Sequence, residues 1–188
     1  MATKTGTGPR SIALIGPYSS GKTTLLENLL FATGAIGRKG TIKEGNTVGD
    51  SSAEARSRRM SVEVSPARFE FLGDVFSVLD CPGSIELLQE CMDVVIGVDA
   101  AVVVCEADES KTIAMTPLLR FLDLHSIPYL IFVNKMDRVG SELSNFISAL
   151  KLVTSRSVAV RQLPLVEDED VSGYIDVIHR RGHRYVKD

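Results

Sequence analysis

Long apolar runs are missing from this sequence of 188 residues; stretches such as Ala100–Cys105 stop far short of the roughly 20 residues a membrane-spanning helix needs. No segment is therefore expected to cross a bilayer. The opening Met1–Arg10 has no apolar signal core, so it reads as a flexible N-terminal lead (1–10), and the protein is expected in the cytoplasm. A basic excess is also missing: 21 Lys and Arg stand against 24 Asp and Glu, a net charge of −3. That balance excludes stand-alone nucleic-acid binding through bulk charge and leaves only local contacts with RNA. Cysteine is scarce, and Cys81, Cys91 and Cys105 are odd in number and lack C-x-x-C spacing, which points to buried or inert thiols in a reducing compartment. What is present, 44% hydrophobic and 24% charged residues, suffices for one domain with a substantial core.

The informative stretch is Gly16-Pro17-Tyr18-Ser19-Ser20-Gly21-Lys22-Thr23-Thr24. It follows the apolar Ser11–Ile15 and precedes leucines at helical spacing, giving strand, glycine-rich loop and helix. The pattern fits the phosphate-binding loop G-x-x-x-x-G-K-[ST]. Glycines let the main chain approach a polyphosphate and aim N–H groups inward. Lys22 is expected on the β and γ phosphates and Thr23 on Mg²⁺, with the helix directing its positive end at the same anion.

Further along, a helix is predicted from Thr23 to about Ala32, ended by Gly34 and Gly37. Residues 38–65 lack sustained periodicity and are too long for an ordinary connection, so they read as a functional or mobile loop. Runs 67–72 and 75–80 suggest a hairpin turning at Gly73-Asp74. An amphipathic helix is expected from Ile85 to about Val95, a buried strand over Ala100–Cys105, and a helix to about His125 that starts at or one turn before Thr116-Pro117. Tyr129–Val133 is a further buried strand, and Leu143, Phe146, Ile147 and Leu150 mark a helix. Strands follow at 158–165 and 173–178, separated by an acidic surface turn at 167–170. Alternating strands and helices imply an α/β fold with a mostly parallel sheet, its ligand beyond the strands' carboxyl ends.

Two more motifs fall at such ends. Asp80-Cys81-Pro82-Gly83 supplies a carboxylate able to hold Mg²⁺ through water and a Gly83 N–H able to face a γ-phosphate. Asn134-Lys135-Met136-Asp137 is the most discriminating. The Asp137 carboxylate can accept from both N1–H and the 2-amino group of guanine, a donor pair adenine lacks. At roughly 1.5–3 kcal/mol per charge-assisted bond, that is a preference of about 10² to 10⁴. The Lys135 stem would cover the purine, and Asn134 would tie this loop to the phosphate loop.

These residues carry a resemblance. The chain resembles the GTP-binding domain of translational GTPases, and within them bacterial elongation factor G, from Ile12 to Tyr185. The marks are Gly-Lys-Thr-Thr at 21–24, Asp-x-Pro-Gly at 80–83, Phe-Val-Asn-Lys-Met-Asp-Arg at 132–138, Val-Arg-Gln-Leu-Pro-Leu at 160–165 and Gly-Tyr-Ile-Asp at 173–176. The resemblance implies a P-loop NTPase G domain at 11–157, and at 158–188 a late strand with the start of an elongation-factor-G-type insert, the chain being truncated before the rest of the factor. It also implies GTP/GDP and Mg²⁺ as ligands, GTP hydrolysis that is slow in isolation, and the ribosome as partner through the full-length factor; the domain itself is expected to be a monomer.

Two departures bear on the chemistry. Ser61, in Arg58-Arg59-Met60-Ser61-Val62, stands where the family has its Mg²⁺-binding threonine, and Ser84 stands where the family has a histidine that positions the attacking water. Catalytic candidates are therefore Lys22, Gly83 and Ser84, the last unable to supply imidazole chemistry. His125, His179 and His183 match no motif and read as surface or structural. Thr154-Ser155-Arg156 follows a helical pattern and is not assigned to the base. Two competing readings remain, a guanine-nucleotide-dependent binding or regulatory module with little or no hydrolysis and a P-loop kinase for a small metabolite.

Overall fold

The computed structural model describes residues 10–138, 143–167 and 170–186. Its central sheet is built from the apolar runs: β1 (Arg10–Ile15), β2 (Ser65–Phe71), β3 (Asp74–Asp80), β4 (Ala100–Glu106) and β5 (Tyr129–Asn134), in the order β2-β3-β1-β4-β5. β1 pairs in parallel with β3 and β4, β4 pairs in parallel with β5, and only the edge strand β2 is antiparallel. Five α-helices are found among the described residues: α1 (Lys22–Ala32), α2 (Ala53–Arg58), α3 (Leu88–Ile96), α4 (Glu109–Leu124) and α5 (Leu143–Val153).

Side chains alternate across the strands and so feed two cores. Ala13 and Ile15 of β1 join Ala101, Val103 and Cys105 of β4 against α3, α4 and α5, where Met115, Leu119, Leu122, Phe146 and Leu150 are buried. Leu14 faces the opposite way, onto Leu26 and Leu30 of α1 and Val78 of β3. The result is a sheet with helices on both faces, each buried aliphatic side chain contributing about 1.5–3 kcal/mol.

Several boundaries differ from the sequence-based expectation. The hairpin turns at Leu72-Gly73, both with positive φ (53° and 82°), one residue earlier than predicted, because a two-residue turn of this hand needs two left-handed residues and Asp74 already pairs with Phe71. The 38–65 segment contains α2, whose Ser52 cap accepts from the Ala55 N–H; six residues are too few to show a periodicity. Residues 85–87 form a 3₁₀ turn before α3. α4 starts at Glu109, capped by Asp108, so Pro117 sits inside it rather than at its start, and buried Thr112 and Met115 hold the preceding turns to the core.

The C-terminal strands form a second, antiparallel sheet: β6 (Gln162–Glu167), β7 (Asp170–Asp176) and β8 (Arg181–Arg184). The strand expected over 158–165 thus begins at Gln162, the one over 173–178 lies at 170–176, and β8 was not foreseen. The predicted acidic turn includes residues 168 and 169, and the N-terminal lead includes residues 1–9; both stretches lie outside the described residues. β7 packs near a 3₁₀ turn, Met136–Arg138, that follows β5. Among the described residues, no helix is long and apolar enough to cross a membrane.

Candidate functional site

The loop between β1 and α1 takes its shape from two glycines. Gly16 (φ 138°) and Gly21 (φ 97°) adopt backbone conformations side chains rarely reach, and a Cβ at Gly16 would run into the Val104 carbonyl while one at Gly21 would run into the Asn134 amide. Inside the loop, Lys22 is buried and donates from Nζ to the carbonyl oxygens of Gly16 and Pro17, both at 3.0 Å. Burial pulls its pKa down, opposed by the nearby Asp80 charge. The first turn of α1 carries no acidic residue, so its positive end is free of an internal counter-charge. Ser20 is buried, with an Oγ that has no hydrogen-bond partner among the described residues, whereas Tyr18 and Thr24 are exposed on the rim.

Beside this loop, the end of β3 delivers Asp80, which is fully buried. Thr23 Oγ1 donates to its Oδ2 at 2.7 Å and lies 3.3 Å from Ser61 Oγ, so the three residues named in advance do meet, although Ser61 is 38 positions from Thr23. Asp80 Oδ1 is buried without a partner among the described residues. Burial raises the Asp80 pKa to about 6 against the pull of the Thr23 hydrogen bond and of Lys22. This donor set suits a small hard cation: two hydroxyls, a carboxylate with an unsatisfied oxygen, and no cage of three or more His, Cys, Asp or Glu side chains among the described residues.

Next in the chain, Cys81 is buried, its thiol pKa pushed up by a hydrogen bond with Cys91 and by burial. Pro82 offers its carbonyl to Cys91 Sγ at 3.0 Å, anchoring this segment to α3. Gly83 packs so closely on Lys22 Nζ and the Pro17 carbonyl that a Cβ there would not fit. Ser84 precedes the 3₁₀ turn without capping it through its side chain, and faces a cleft that Arg58, Glu54 and Met60 also line.

At the end of β5, the third motif reaches back to the first. Asn134 Nδ2 donates to the Ser20 carbonyl at 2.9 Å, and Lys135 Nζ donates to the Ser19 carbonyl at 2.8 Å. Lys135 also pairs with Glu106 at 2.6 Å. Asp137 is exposed two residues on, in the 3₁₀ turn. Thr154, Ser155 and Arg156 sit elsewhere: all three bind Asp123, together with Tyr129 at the opposite end of β5. His125 packs on Phe121, His179 bonds Asp176 and His183 stacks on Tyr174.

Three acidic residues of the neighbourhood escaped the sequence reading. Asp50 is buried with an Oδ1 that has no partner among the described residues, and its charge acts on both Asp80 and Lys22. Nothing in its loop marked it. Glu27 is buried in α1, where its carboxylate accepts from the N–H groups of Gly40, at 2.7 Å, and of Val48, at 2.5 Å. Its position on the same helical stripe as Thr23 and Leu30 was a readable signal, a charge among core positions. Glu106, acidic at the end of an apolar strand, was another.

A glycine loop at the end of β1, a buried aspartate at the end of β3 and an Asn-Lys-x-Asp turn at the end of β5, all on one rim of a mainly parallel sheet, define a P-loop G domain. The family profile described as "Elongation factor Tu GTP binding domain" matches residues 8–177, and the chain belongs to that family. It is 47% identical over 185 residues to an elongation factor G-like protein of Synechocystis sp., covering 98% of this chain and 28% of that protein. It is 27% identical over 181 residues to elongation factor G 2 of Streptomyces coelicolor (96% and 26%) and 27% identical over 169 residues to the mitochondrial ribosome-releasing factor 2 of Bos taurus (90% and 22%). A crystal structure of a protein from Thermus thermophilus superposes with a TM-score of 0.85 at 32% identity, covering 96% of this chain and 27% of that one. The chain is thus an elongation factor G-like GTP-binding domain, spanning about a quarter of the length of these relatives.

Proposed function

We propose that the domain binds GTP and GDP with Mg²⁺, hydrolyses GTP, and serves a ribosomal elongation factor by coupling hydrolysis to translocation. The observation that carries this reading is the pair of hydrogen bonds from Asn134 and Lys135 to the carbonyls of Ser20 and Ser19, which join a guanine-type loop to a phosphate loop. In this reading Gly16 to Thr24 wrap the phosphates, with Lys22 on the β and γ groups. Thr23, Ser61 and, through water, Asp80 would hold Mg²⁺, with Asp50 as a second carboxylate nearby; bound there, the ion would neutralise charge on the phosphate oxygens. Cys81 and Pro82 shape the turn that presents the Gly83 N–H to the γ-phosphate. Asn134 holds the two loops in register, the Lys135 stem covers the purine and Asp137 reads its edge. Residues 38–65 and the segment after Gly83 act as the switches.

The domain division follows the same reading. Residues 11–157 form the G domain core, and 158–188, which contain the second sheet, begin an insert. The relatives' printed names, which include elongation and ribosome-releasing factors, support the ribosome as partner.

Asp137→Asn tests the base assignment: guanine affinity should fall about 10²-fold or more while xanthine nucleotides gain, as two charge-assisted bonds are exchanged. Unchanged guanine selectivity would remove it. A second reading, nucleotide-gated binding or regulation with little or no hydrolysis, is favoured by Ser84. Phosphate release under multiple turnover with added ribosomes separates the two: stimulation means an enzyme, and tight binding without turnover means a switch.

A further inference from the structure

We infer that Glu106 is a positioning residue for the purine side of the site, clamping Lys135 so that its stem lies as a fixed platform under the base; the inference rests on the guanine-nucleotide reading. Glu106 ends β4 and is in register with Asn134 of β5, so its carboxylate emerges beside the Asn134–Asp137 turn. One oxygen takes Lys135 Nζ at 2.6 Å and the other takes Lys111 Nζ of α4 at 2.7 Å. The Lys135 ammonium has a second tie, to the Ser19 carbonyl at 2.8 Å. Its head is thus held from two sides, by a strand end and by the phosphate loop, which leaves the aliphatic stem stretched between backbone and head.

A free lysine side chain samples many rotamers, and ordering it at the moment of binding weakens and shortens the complex. Holding the head beforehand removes that cost. Glu106 is itself kept ionised: hydrogen bonds from Lys111 and then Lys135 draw its pKa below the ordinary carboxylate value. Lys111 fixes the clamp to the first turns of α4, and the three groups form a chain of alternating charge from the turn after β5 through the end of β4 to α4. Lys135 also has a left-handed backbone (φ 57°), uncommon for a lysine, so the ties at its head help hold a conformation that the chain alone would not favour.

The test is the dissociation rate of mant-GDP from the full chain and its Glu106→Ala and Glu106→Gln variants, together with competition by inorganic tripolyphosphate, which has no purine. Glu106→Ala should release mant-GDP about tenfold faster, since the partly exposed charge-assisted contact that holds Lys135 is lost together with the Lys111 pair behind it. Glu106→Gln, which keeps an acceptor, should lie between it and the wild type, and tripolyphosphate affinity should be the same in all three. Release at the wild-type rate from both variants would overturn the assignment, and so would an equal loss of tripolyphosphate affinity, which marks general damage to the phosphate loop. Wild-type protein that holds no guanine nucleotide would instead overturn the nucleotide reading, and the assignment with it.

Discussion

Position 21 shows how one residue can bind two motifs together. Its φ of 97° needs glycine, and its missing Cβ is what lets the Asn134 amide pass to the Ser20 carbonyl. An alanine would meet the left-handed penalty of about 1–2 kcal/mol and would also displace Asn134. Gly21→Ala should therefore lower the melting temperature by several degrees, a shift of about 4–8 °C per kcal/mol in a small domain and less in a chain of this length. It should also weaken guanine nucleotide binding more than Gly34→Ala, which has a positive φ as well but nothing near its absent side chain. Equal effects of the two substitutions on binding would show that the Asn134 contact does not matter. The phosphate-loop glycines were legible from sequence because their spacing is local; the reason Gly21 cannot be anything else lies 113 residues away, at Asn134.

At the scale of elements, the segment from 38 to 65 divides in two. Its first part is stitched to α1 by Glu27, whose two carboxylate oxygens accept from the N–H groups of Gly40 and Val48. Its second part contains α2, ended by Arg59 in the left-handed conformation (φ 54°) that glycine normally takes at this place. Ser61 follows, its hydroxyl facing Thr23. The two parts should differ in stability, the first tied by charge-assisted bonds and the second by a six-residue helix too short to stand alone. Glu27→Ala removes the acceptor of two part-buried N–H groups, each charge-assisted bond worth about 1.5–3 kcal/mol. Hydrogen exchange should then speed up at least tenfold at Gly40 and Val48 while exchange in α2 changes little. An unchanged rate at those two amides would mean that the loop is held by something else. Sequence reading recognised this region as special from its length, but not its division, because the contacts of Glu27 at 13 and 21 residues' distance carry no periodic trace.

At the scale of the whole molecule, a five-stranded sheet covered on both faces carries the site, and a three-stranded antiparallel sheet stands beside it. The second sheet is held at one end by Asp176, which accepts from the His179 N–H at 2.9 Å, bonds its ring at 3.0 Å and pairs with Arg161 at 3.4 Å. The hydrogen bonds from His179 bring its pKa to about 2. A carboxyl whose folded pKa is depressed contributes stability that is complete above its unfolded value, near 3.8, and that fades as pH falls toward 2. Amide protection in β6–β8 should therefore decline between about pH 4 and pH 2, and Asp176→Asn should flatten that decline. A decline of the same size in the variant would assign it to other groups.

The sequence alone determined the alternation of strands and helices, the carboxyl-end placement of three motifs and their kinship, because each is written in residues close together or in a periodicity set by backbone geometry. Boundaries shifted where a local signal was ambiguous: Thr116-Pro117 looks like a helix start, yet buried Thr112 and Met115 carry α4 two turns further back. Only the tertiary structure decided which charges stand near the three motifs. Asp50, Glu27 and Glu106 acquire their roles from partners that folding brings together across different elements, and burial and electrostatic pairing are properties of distance in space rather than of order along the chain.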